Sequence, residues 1–294
     1  MTASVFWRML RPVTLPAPVA GVIGGALAAT FHADAPIHVW RIAAAVASAL
    51  TLTGASNIVN QIADIETDRI NRPERPLPAG EVSMRQAWLS FVALGSAAVV
   101  LGAMVNPAYF ACIVFTLPVT VSYSMPPLRF KRLPLIANMV IATPRGLLLV
   151  VAGWAAGGGF LERDAWVLGA LAWLYLVGAA TTKDFADVKG DRATGCRTLP
   201  ILWGAKRAAW FVAPFLVVPF LGYPAAASLG WLDGNRTGWF VLGGALAALG
   251  LIAAALLIRN PNGPDSGRPH PAWGLMYLQL TFAHVGAAAV YAAA

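Results

Sequence analysis

Residues 41–72 read RIAAAVASALTLTGASNIVNQIADIETDRINR, an apolar run that becomes polar at its end. The apolar part is long enough to cross ~30 Å of hydrocarbon at ~1.5 Å per residue. In the polar part, Asn60, Asp64, Asp68 and Arg72 recur every four residues, so a helix that continues through them places all four on one face. The stretch therefore predicts a membrane helix whose inner end carries a polar stripe.

The composition of the whole chain supports a membrane protein. Of its 294 residues, 58% are apolar and 12% are charged, with a mean hydropathy of +0.66, whereas soluble domains have about 25% charged residues. Apolar runs of membrane-crossing length lie at about 13–31, 41–63, 86–105, 107–124, 135–157, 164–182, 208–224, 238–258 and 272–293. Their many Ala and Gly residues favour close helix packing. We expect an all-α integral membrane protein with nine transmembrane helices in a bundle around a central cavity.

The basic residues predict the orientation of the bundle. If the amino terminus is inside, all but four of the 21 Lys and Arg residues fall in cytoplasmic segments; Arg41, Arg163 and Arg236 fall opposite, and Arg145 lies within the fifth span. We therefore expect a protein of the cytoplasmic (inner) membrane, with its amino terminus and acidic loops in the cytoplasm and its carboxyl terminus outside. The net charge of +8 is explained by this topology. Without a lysine-rich run or an RNA-reading motif, no nucleic-acid partner is predicted.

Eight of the 13 acidic residues are confined to two of the cytoplasmic segments. They are Asp64, Glu66, Asp68, Glu74 and Glu81 in one segment and Asp184, Asp187 and Asp191 in the other. The three aspartates of the second segment are spaced i, i+3, i+7, which again places them on one helical face. Both segments also contain several Lys and Arg residues.

These acidic segments predict a particular chemistry. Carboxylates without His or Cys at metal-ligand spacing favour Mg²⁺ or Ca²⁺, and Mg²⁺ commonly bridges substrate phosphates. Nearby basic residues suit an anionic leaving group. We therefore predict an enzyme that acts on a phosphorylated substrate. The alternatives are solvated loops with ordinary ion pairs and a transporter, although a transporter needs ionisable groups near the bilayer midplane.

The two acidic segments also resemble each other at a nearly constant offset of 122 or 123 residues. The matched positions include Asp64 with Asp187, Asp68 with Asp191 and Arg75 with Arg197. Duplicated halves often place a site at their interface. The pattern predicts one membrane domain, 1–294, with parallel halves at about 1–124 and 135–258 and a ninth helix at 272–293, in which both acidic segments converge on one membrane face.

Three motifs resemble those of the UbiA superfamily of intramembrane prenyltransferases. Residues 60–68 (NQIADIETD), together with 70–73 (INRP) and 75–80 (RPLPAG), are similar to its first aspartate-rich motif. Residues 183–192 (KDFADVKGDR) are similar to its second, and residues 123–132 (YSMPPLRFKR) to the loop between them. The motifs occur in the expected order, and with the nine helices the resemblance covers essentially the whole chain.

The resemblance implies transfer of a prenyl group from a prenyl diphosphate to a hydrophobic or aromatic acceptor at two Mg²⁺ ions within membrane lipid. It implies that one metal is bound by Asn60, Asp64 and Asp68 and the other by Asp184, Asp187 and Asp191. It also implies that the diphosphate is held by Arg72, Arg129, Lys131 and Lys183. Tyr123 would lie beside the reacting allylic carbon, where its ring could stabilise a cation. Arg145 is a candidate contact for the acceptor, or a structural ion pair.

The acceptor stays open between branches of the superfamily. Gln61 replaces a second aspartate that many members have there, and with residues 141–146 (IATPRG) it resembles the homogentisate prenyltransferase branch. Residues 71–76 (NRPERP) and 195–200 (GCRTLP) equally resemble the branch that alkylates glycerol-ether lipids. Our first expectation is an aromatic phenolic or quinone precursor. The alternatives are a glycerol-ether phosphate lipid, a tetrapyrrole alcohol, or cyclisation of the prenyl chain without an acceptor.

Overall fold

The structure, a computed structural model, describes residues 1–262 and 270–294. Within these residues it is helical without strands, and nine helical segments are long and apolar enough to cross a membrane. The nine spans are, in order, Pro12–His32, Val39–Ala63, Met84–Val105, Pro107–Ser124, Ile136–Gly157, Arg163–Ala193, Ala205–Ser228, Arg236–Arg259 and Pro271–Ala292. Short helices lie at Ala3–Met9, Ile65–Asn71 and Leu199–Trp203. The predicted all-α membrane architecture is confirmed.

Side-chain caps explain where several spans begin. Ser83 and Gln86 form a reciprocal capping box at the start of the third span, which satisfies backbone N–H groups that lack a helical partner. Asn106 accepts a hydrogen bond from Tyr109 N at the start of the fourth span. Proline follows as the first residue of that helix, where its missing N–H costs nothing. A two-span hairpin therefore needs almost no loop.

The second span does not continue as one helix through its polar end, as the sequence suggested. The helix ends at Ala63, Asp64 has non-helical backbone angles (φ −107°, ψ 11°), and a separate short helix begins at Ile65. Hydrogen bonds of 2.7 Å from Asp68 N to Asp64 O and from Arg72 N to Asp68 O nevertheless keep the four-residue repeat. The polar stripe is thus preserved across a kink.

The sixth span is longer than the predicted 164–182. The helix runs from Arg163 through a tight 3-10 turn at Ala180–Lys183 into the helical segment Asp184–Ala193. The second acidic segment is therefore the end of a membrane helix and not a loop. The rise of the helix fixes the relative positions of its three aspartates.

Prolines interrupt two further spans. The seventh span, expected at 208–224, extends over Ala205–Ser228 and contains a 3-10 turn at Ala213–Leu216, where Pro214 cannot donate a helical hydrogen bond. In the fifth span, Thr143–Leu147 form a five-residue π-helical turn that includes Pro144. Such turns redirect the side chains that they carry.

The first span is the tightly packed centre of the bundle. A Cβ atom added to Gly24 would lie 2.5 Å from His284 O of the ninth span, and one added to Gly25 would lie 2.8 Å from Gly153 Cα of the fifth span. Only glycine permits these backbone approaches. The third span lies at the periphery, where Leu89, Val92, Val100 and Met104 are more than half exposed, as expected of a lipid-facing helix.

Candidate active site

The two acidic segments meet at one end of the bundle, as the duplicated pattern predicted. They enclose a polar cavity of about 90 Å³. The predicted site residues in its lining are Asn60, Asp64, Asp68, Tyr123, Lys131, Lys183, Asp184, Asp187 and Asp191. The structure therefore brings together all six proposed metal ligands.

Direct contacts fasten the first segment to the second. Arg72 Nη2 lies 3.1 Å from Asp187 Oδ1. Asn71 donates to Asp187 O at 3.0 Å and accepts a hydrogen bond from Gly190 N at 2.9 Å. A Cβ atom added to Gly190 would lie 2.5 Å from Asn71 Nδ2, so this position requires glycine. Asn71 is a positioning residue that the sequence analysis missed.

Carboxylates of the first segment are paired with bases. Asn60 Nδ2 donates to Asp64 Oδ2 at 2.9 Å, and Lys131 Nζ donates to the other oxygen of the same carboxylate. Asp68 accepts bonds of 2.6 and 2.7 Å from Arg75 Nη1. These pairs are charge-assisted hydrogen bonds, the stronger kind. The first segment is therefore electrostatically balanced within the protein.

The carboxylates of the second segment have fewer close basic partners to balance their charge. Asp187 is paired with Arg72, but the Nζ atom nearest to Asp184, that of Lys183, is 3.9 Å away. Among the described residues, no Lys or Arg nitrogen lies within 4.0 Å of an Asp191 carboxylate oxygen. Three carboxylates on one helical face repel one another unless a cation lies between them.

Burial shifts the pKa values of the charged groups around this site. Desolvation raises the pKa of the Asp68 carboxyl, although Arg75 opposes the shift. Desolvation likewise lowers the pKa of Lys131, opposed by the nearby charge of Asp64. The thiol of Cys196, which also lines the polar cavity, has its pKa raised, first by burial and then by Asp191.

Tyr123 and Lys183 lie at the junction with a second, larger cavity. Lys183 Nζ donates to the Tyr123 hydroxyl at 3.0 Å and lies 5.5 Å from the centre of its ring. The larger cavity, of about 680 Å³, is mostly apolar and extends between the first, second, fourth, fifth, sixth and ninth spans. Both cavities are lined by Arg11, Asn60, Arg75, Tyr123, Lys183 and Asp187. A polar site thus opens into a hydrophobic chamber.

Three of the predicted binding residues do not line the polar cavity. Arg72 and Arg145 line the larger cavity. Arg129 donates to Ala63 O at 3.2 Å and lies 3.8 Å from Asp64, beside the site and outside the described lining of both cavities. Gln61, which replaces an aspartate of the family pattern, points away and donates to Met9 O at 2.8 Å.

Three basic residues of the polar cavity were not predicted from the sequence as site residues: Arg11, Arg75 and Arg197. Arg75 lies in the quoted motif at 75–80, and Arg197 is its counterpart in the offset comparison, so the pattern contained a signal for both. Arg11 precedes the first span and shows no motif.

A separate polar cluster lies away from this site. Ligand atoms of His32, Asp164 and Asp233 lie within 4.8 Å of one another. Arg163 Nη2 is 3.6 Å from Asp164 and 3.4 Å from Asp233, so a guanidinium already supplies the positive charge there. The cluster is explained as an ion-pair network between helix ends.

Fold and site together define an intramembrane enzyme whose polar mouth collects carboxylates and bases above an apolar chamber. The UbiA prenyltransferase family model matches residues 19–287. The chain belongs to this family, and it is a prenyltransferase.

Two curated relatives represent different branches. The digeranylgeranylglyceryl phosphate synthase of Natronomonas pharaonis is 36% identical over 232 residues, 79% of each chain. The probable homogentisate phytyltransferase 2, chloroplastic, of Oryza sativa subsp. japonica is 32% identical over 237 residues, 76% of this chain and 62% of the relative. Among solved structures, a UbiA homologue from Archaeoglobus fulgidus bound to GPP and Mg²⁺ superposes with a TM-score of 0.77 at 19% identity, over 99% of this chain and 100% of that chain.

Proposed function

We propose that this prenyltransferase moves a prenyl group from an allylic diphosphate to a hydroxyl of a glycerol-ether phosphate lipid, with Mg²⁺ held between the two acidic segments. The observation that carries the proposal is the convergence of both segments on one polar cavity that opens into the apolar chamber. The relative from N. pharaonis is named for a synthase of such a lipid, and the A. fulgidus homologue is bound to GPP and Mg²⁺.

The residues of the polar cavity fit Mg²⁺. Its proposed ligands are carboxylate oxygens and the Asn60 amide oxygen, which are hard donors. Among the described residues, Lys183 Nζ comes no closer than 3.9 Å to the Asp184 carboxylate, and no Lys or Arg nitrogen lies within 4.0 Å of the Asp191 carboxylate, so a divalent cation would supply the missing positive charge. When bound, Mg²⁺ neutralises charge on the diphosphate and so assists its departure.

Basic residues of the polar cavity would act on the diphosphate together with Mg²⁺. Lys131 and Lys183 present ammonium groups to the polar cavity and would stabilise negative charge that develops on the leaving group. The Tyr123 hydroxyl is engaged by Lys183, which positions the ring at the mouth of the apolar chamber. There we place the allylic carbon, whose cation the ring would stabilise.

The proposed reaction exchanges one C–O bond for another. The allylic C–O bond breaks and its electron pair leaves with the diphosphate. The hydroxyl oxygen of the acceptor then bonds to the allylic carbon, and its proton passes to the released diphosphate. The apolar walls of the chamber exclude water, which would otherwise capture the cation.

Of the acceptors left open by the sequence, we favour the lipid over the aromatic compound that was the first expectation. The relative of the glycerol-lipid branch is the more similar in sequence of the two reported and is matched over more of its length. The second candidate is an aromatic acceptor, which the homogentisate relative supports.

We also propose that the acidic segments face the cytoplasm, with the carboxyl terminus outside, in the cytoplasmic membrane. The distribution of basic residues supports this orientation. Labelling of an Ala294→Cys variant by a membrane-impermeant maleimide in intact cells would support it, whereas labelling only after lysis would contradict it.

Product mass tests the proposed function. Purified protein with Mg²⁺ and prenyl diphosphates of several lengths is offered glycerol-phosphate ethers, homogentisate or no acceptor. We expect alkylated glycerol-phosphate ether. Alkylated homogentisate alone, or a cyclised hydrocarbon without acceptor, would contradict the proposal in favour of the aromatic or cyclase alternative.

A further inference from the structure

Two guanidinium groups line the larger cavity without an acidic partner. Among residues 1–262 and 270–294, no carboxylate oxygen lies within 4.0 Å of a side-chain nitrogen of Arg11 or Arg145. The other bases of this lining, Arg72, Arg75 and Lys183, each have such a partner. The two arginines therefore bring uncompensated positive charge into a mostly apolar chamber.

Arg145 is held in the chamber by an unusual piece of backbone. It lies within the π-helical turn of the fifth span, and such turns often occur at functional sites. The next residue, Gly146, packs so closely that an added Cβ would lie 2.8 Å from Ala172 O. Among the described residues, the Arg145 guanidinium contacts the Tyr277 hydroxyl oxygen at 3.5 Å. A charge within a span is costly unless it is paired or hydrated, and a neutral phenol does not balance it.

Arg11 approaches the same chamber from the start of the first span. Its backbone is left-handed (φ 55°, ψ 67°), a conformation that costs energy in a non-glycine residue and is found at functional positions. Asn57 stabilises this turn by donating to Leu10 O at 2.8 Å and to Thr14 Oγ1 at 2.9 Å. The surrounding structure thus fixes an unfavourable backbone that directs Arg11 towards both cavities.

The charges of the two arginines act on each other. Burial lowers the pKa of Arg11 to about 10, and the charges of Arg75 and Arg145 add to the lowering. The group stays protonated at neutral pH. An anion placed among these guanidinium groups would relieve both their desolvation and their repulsion.

We infer that Arg11 and Arg145, with the hydroxyl of Tyr277, bind the phosphate of the lipid acceptor. This inference rests on the proposed function. The acidic segments are suited to the donor diphosphate only through a cation, so the phosphate of the acceptor needs a positive site of its own. Guanidinium groups bind phosphate through paired, directional hydrogen bonds. Such a site would hold the acceptor while its hydroxyl reaches the allylic carbon.

Steady-state kinetics with each substrate varied in turn test the inference. In Arg145→Gln and Arg11→Gln, we expect the KM for a glycerol-phosphate ether to rise about tenfold to a hundredfold, the usual effect of losing a charged hydrogen bond. In Arg145→Gln, the KM for the prenyl diphosphate should stay within about twofold, because Arg145 lines the larger cavity and not the polar one. Arg145→Lys should recover part of the loss. The control is Arg236→Gln, since Arg236 contacts Ser228 away from both cavities and should leave both constants unchanged.

A second acceptor separates phosphate binding from a structural effect. With the same glycerol ether lacking its phosphate, the wild type should already show the raised KM, and Arg145→Gln should add little to it. Equal losses with both acceptors, or a raised KM for the donor, would overturn the inference. If Arg145→Gln does not fold, Tyr277→Phe takes its place. The wild type and this variant are then tested with the phosphate-free acceptor, and the outcome is judged in the same way. Wild-type protein that alkylates neither ether would instead overturn the proposed function.

Discussion

The first and second acidic segments have similar sequences but different electrostatic balance. In the first, Asp64 is bonded to Lys131 and Asp68 to Arg75. In the second, Asp187 is paired with Arg72 of the first segment. Among the described residues, the nearest basic nitrogen to Asp184 is Lys183 Nζ at 3.9 Å, and no Lys or Arg nitrogen lies within 4.0 Å of the Asp191 carboxylate. One segment is thus stable as it stands, while the other has carboxylates that a bound cation would stabilise. Similar motifs can therefore differ in how far neighbouring basic side chains balance their charge.

The largest expected effect comes from removing the least compensated carboxylate. Asp191→Asn should lower turnover at least about a hundredfold, because it deletes a proposed metal ligand. The thermal unfolding temperature in detergent without Mg²⁺ should not fall, since no close described base loses its partner. Activity assays beside thermal unfolding check both statements. Near-normal turnover would contradict the two-segment site.

Metal removal should affect the second segment more than the first. EDTA should stop turnover, and Mg²⁺ should restore it. Mg²⁺ at a hundred times its Kd should stabilise the wild type by about 2.7 kcal/mol against unfolding. Asp191→Asn should gain clearly less, as measured by thermal shift across a Mg²⁺ titration. An equal gain in both proteins would place the cation elsewhere.

Breaking a pair in the first segment should lower stability even without metal. Asp68→Asn leaves the Arg75 guanidinium without its carboxylate, which we expect to cost about 2 kcal/mol in unfolding free energy, less than for a fully buried pair because Arg75 is partly exposed. Denaturant unfolding in detergent measures the change. The matched control is the double variant with Arg75→Gln, which should regain part of the loss. If Asp68→Asn loses no unfolding free energy, the two segments do not differ in electrostatic balance as described.

The smallest effect is expected at the junction of the two cavities. Tyr123→Phe removes the hydroxyl that Lys183 contacts but keeps the ring, so turnover should fall less than about tenfold, the loss of one hydrogen bond. Tyr123→Ala should lose clearly more if the ring stabilises the cation. Single-turnover rates under saturating substrates compare the two. Equal losses would assign the effect to the hydroxyl and its lysine.

Much of this molecule was predictable from the sequence because lipid and metal chemistry both restrict the pattern. Apolar length fixes the nine spans, and the four-residue repeat of Asn60, Asp64 and Asp68 places these groups together even though the helix kinks at Asp64. The partners of the charges were not predictable in this way. The contact of Arg72 with Asp187 was not foreseen, because pairing depends on how separate helices meet in space; that Arg72 also holds diphosphate stays a prediction.

The position of Arg11 at the cavities was even less predictable from the sequence. Nothing in its sequence neighbourhood distinguishes it from a topogenic arginine. Only the left-handed turn before the first span, fixed by Asn57 of the second span, brings it to the cavities. The bonds of Asn57 to Leu10 and Thr14 join residues 47 and 43 positions apart, and no local periodicity encodes them.

The π-helical turn of the fifth span also changes which face of the helix points towards each neighbour. It accommodates one additional residue per turn, so the helix after it is rotated by about 100° from the course that it would otherwise follow. Before the turn, Asn138 donates to Val177 O and Thr181 Oγ1 of the sixth span. After it, Gly153 meets Gly25 of the first span. The fifth span thus meets the sixth span before the turn and also packs against the first span after it.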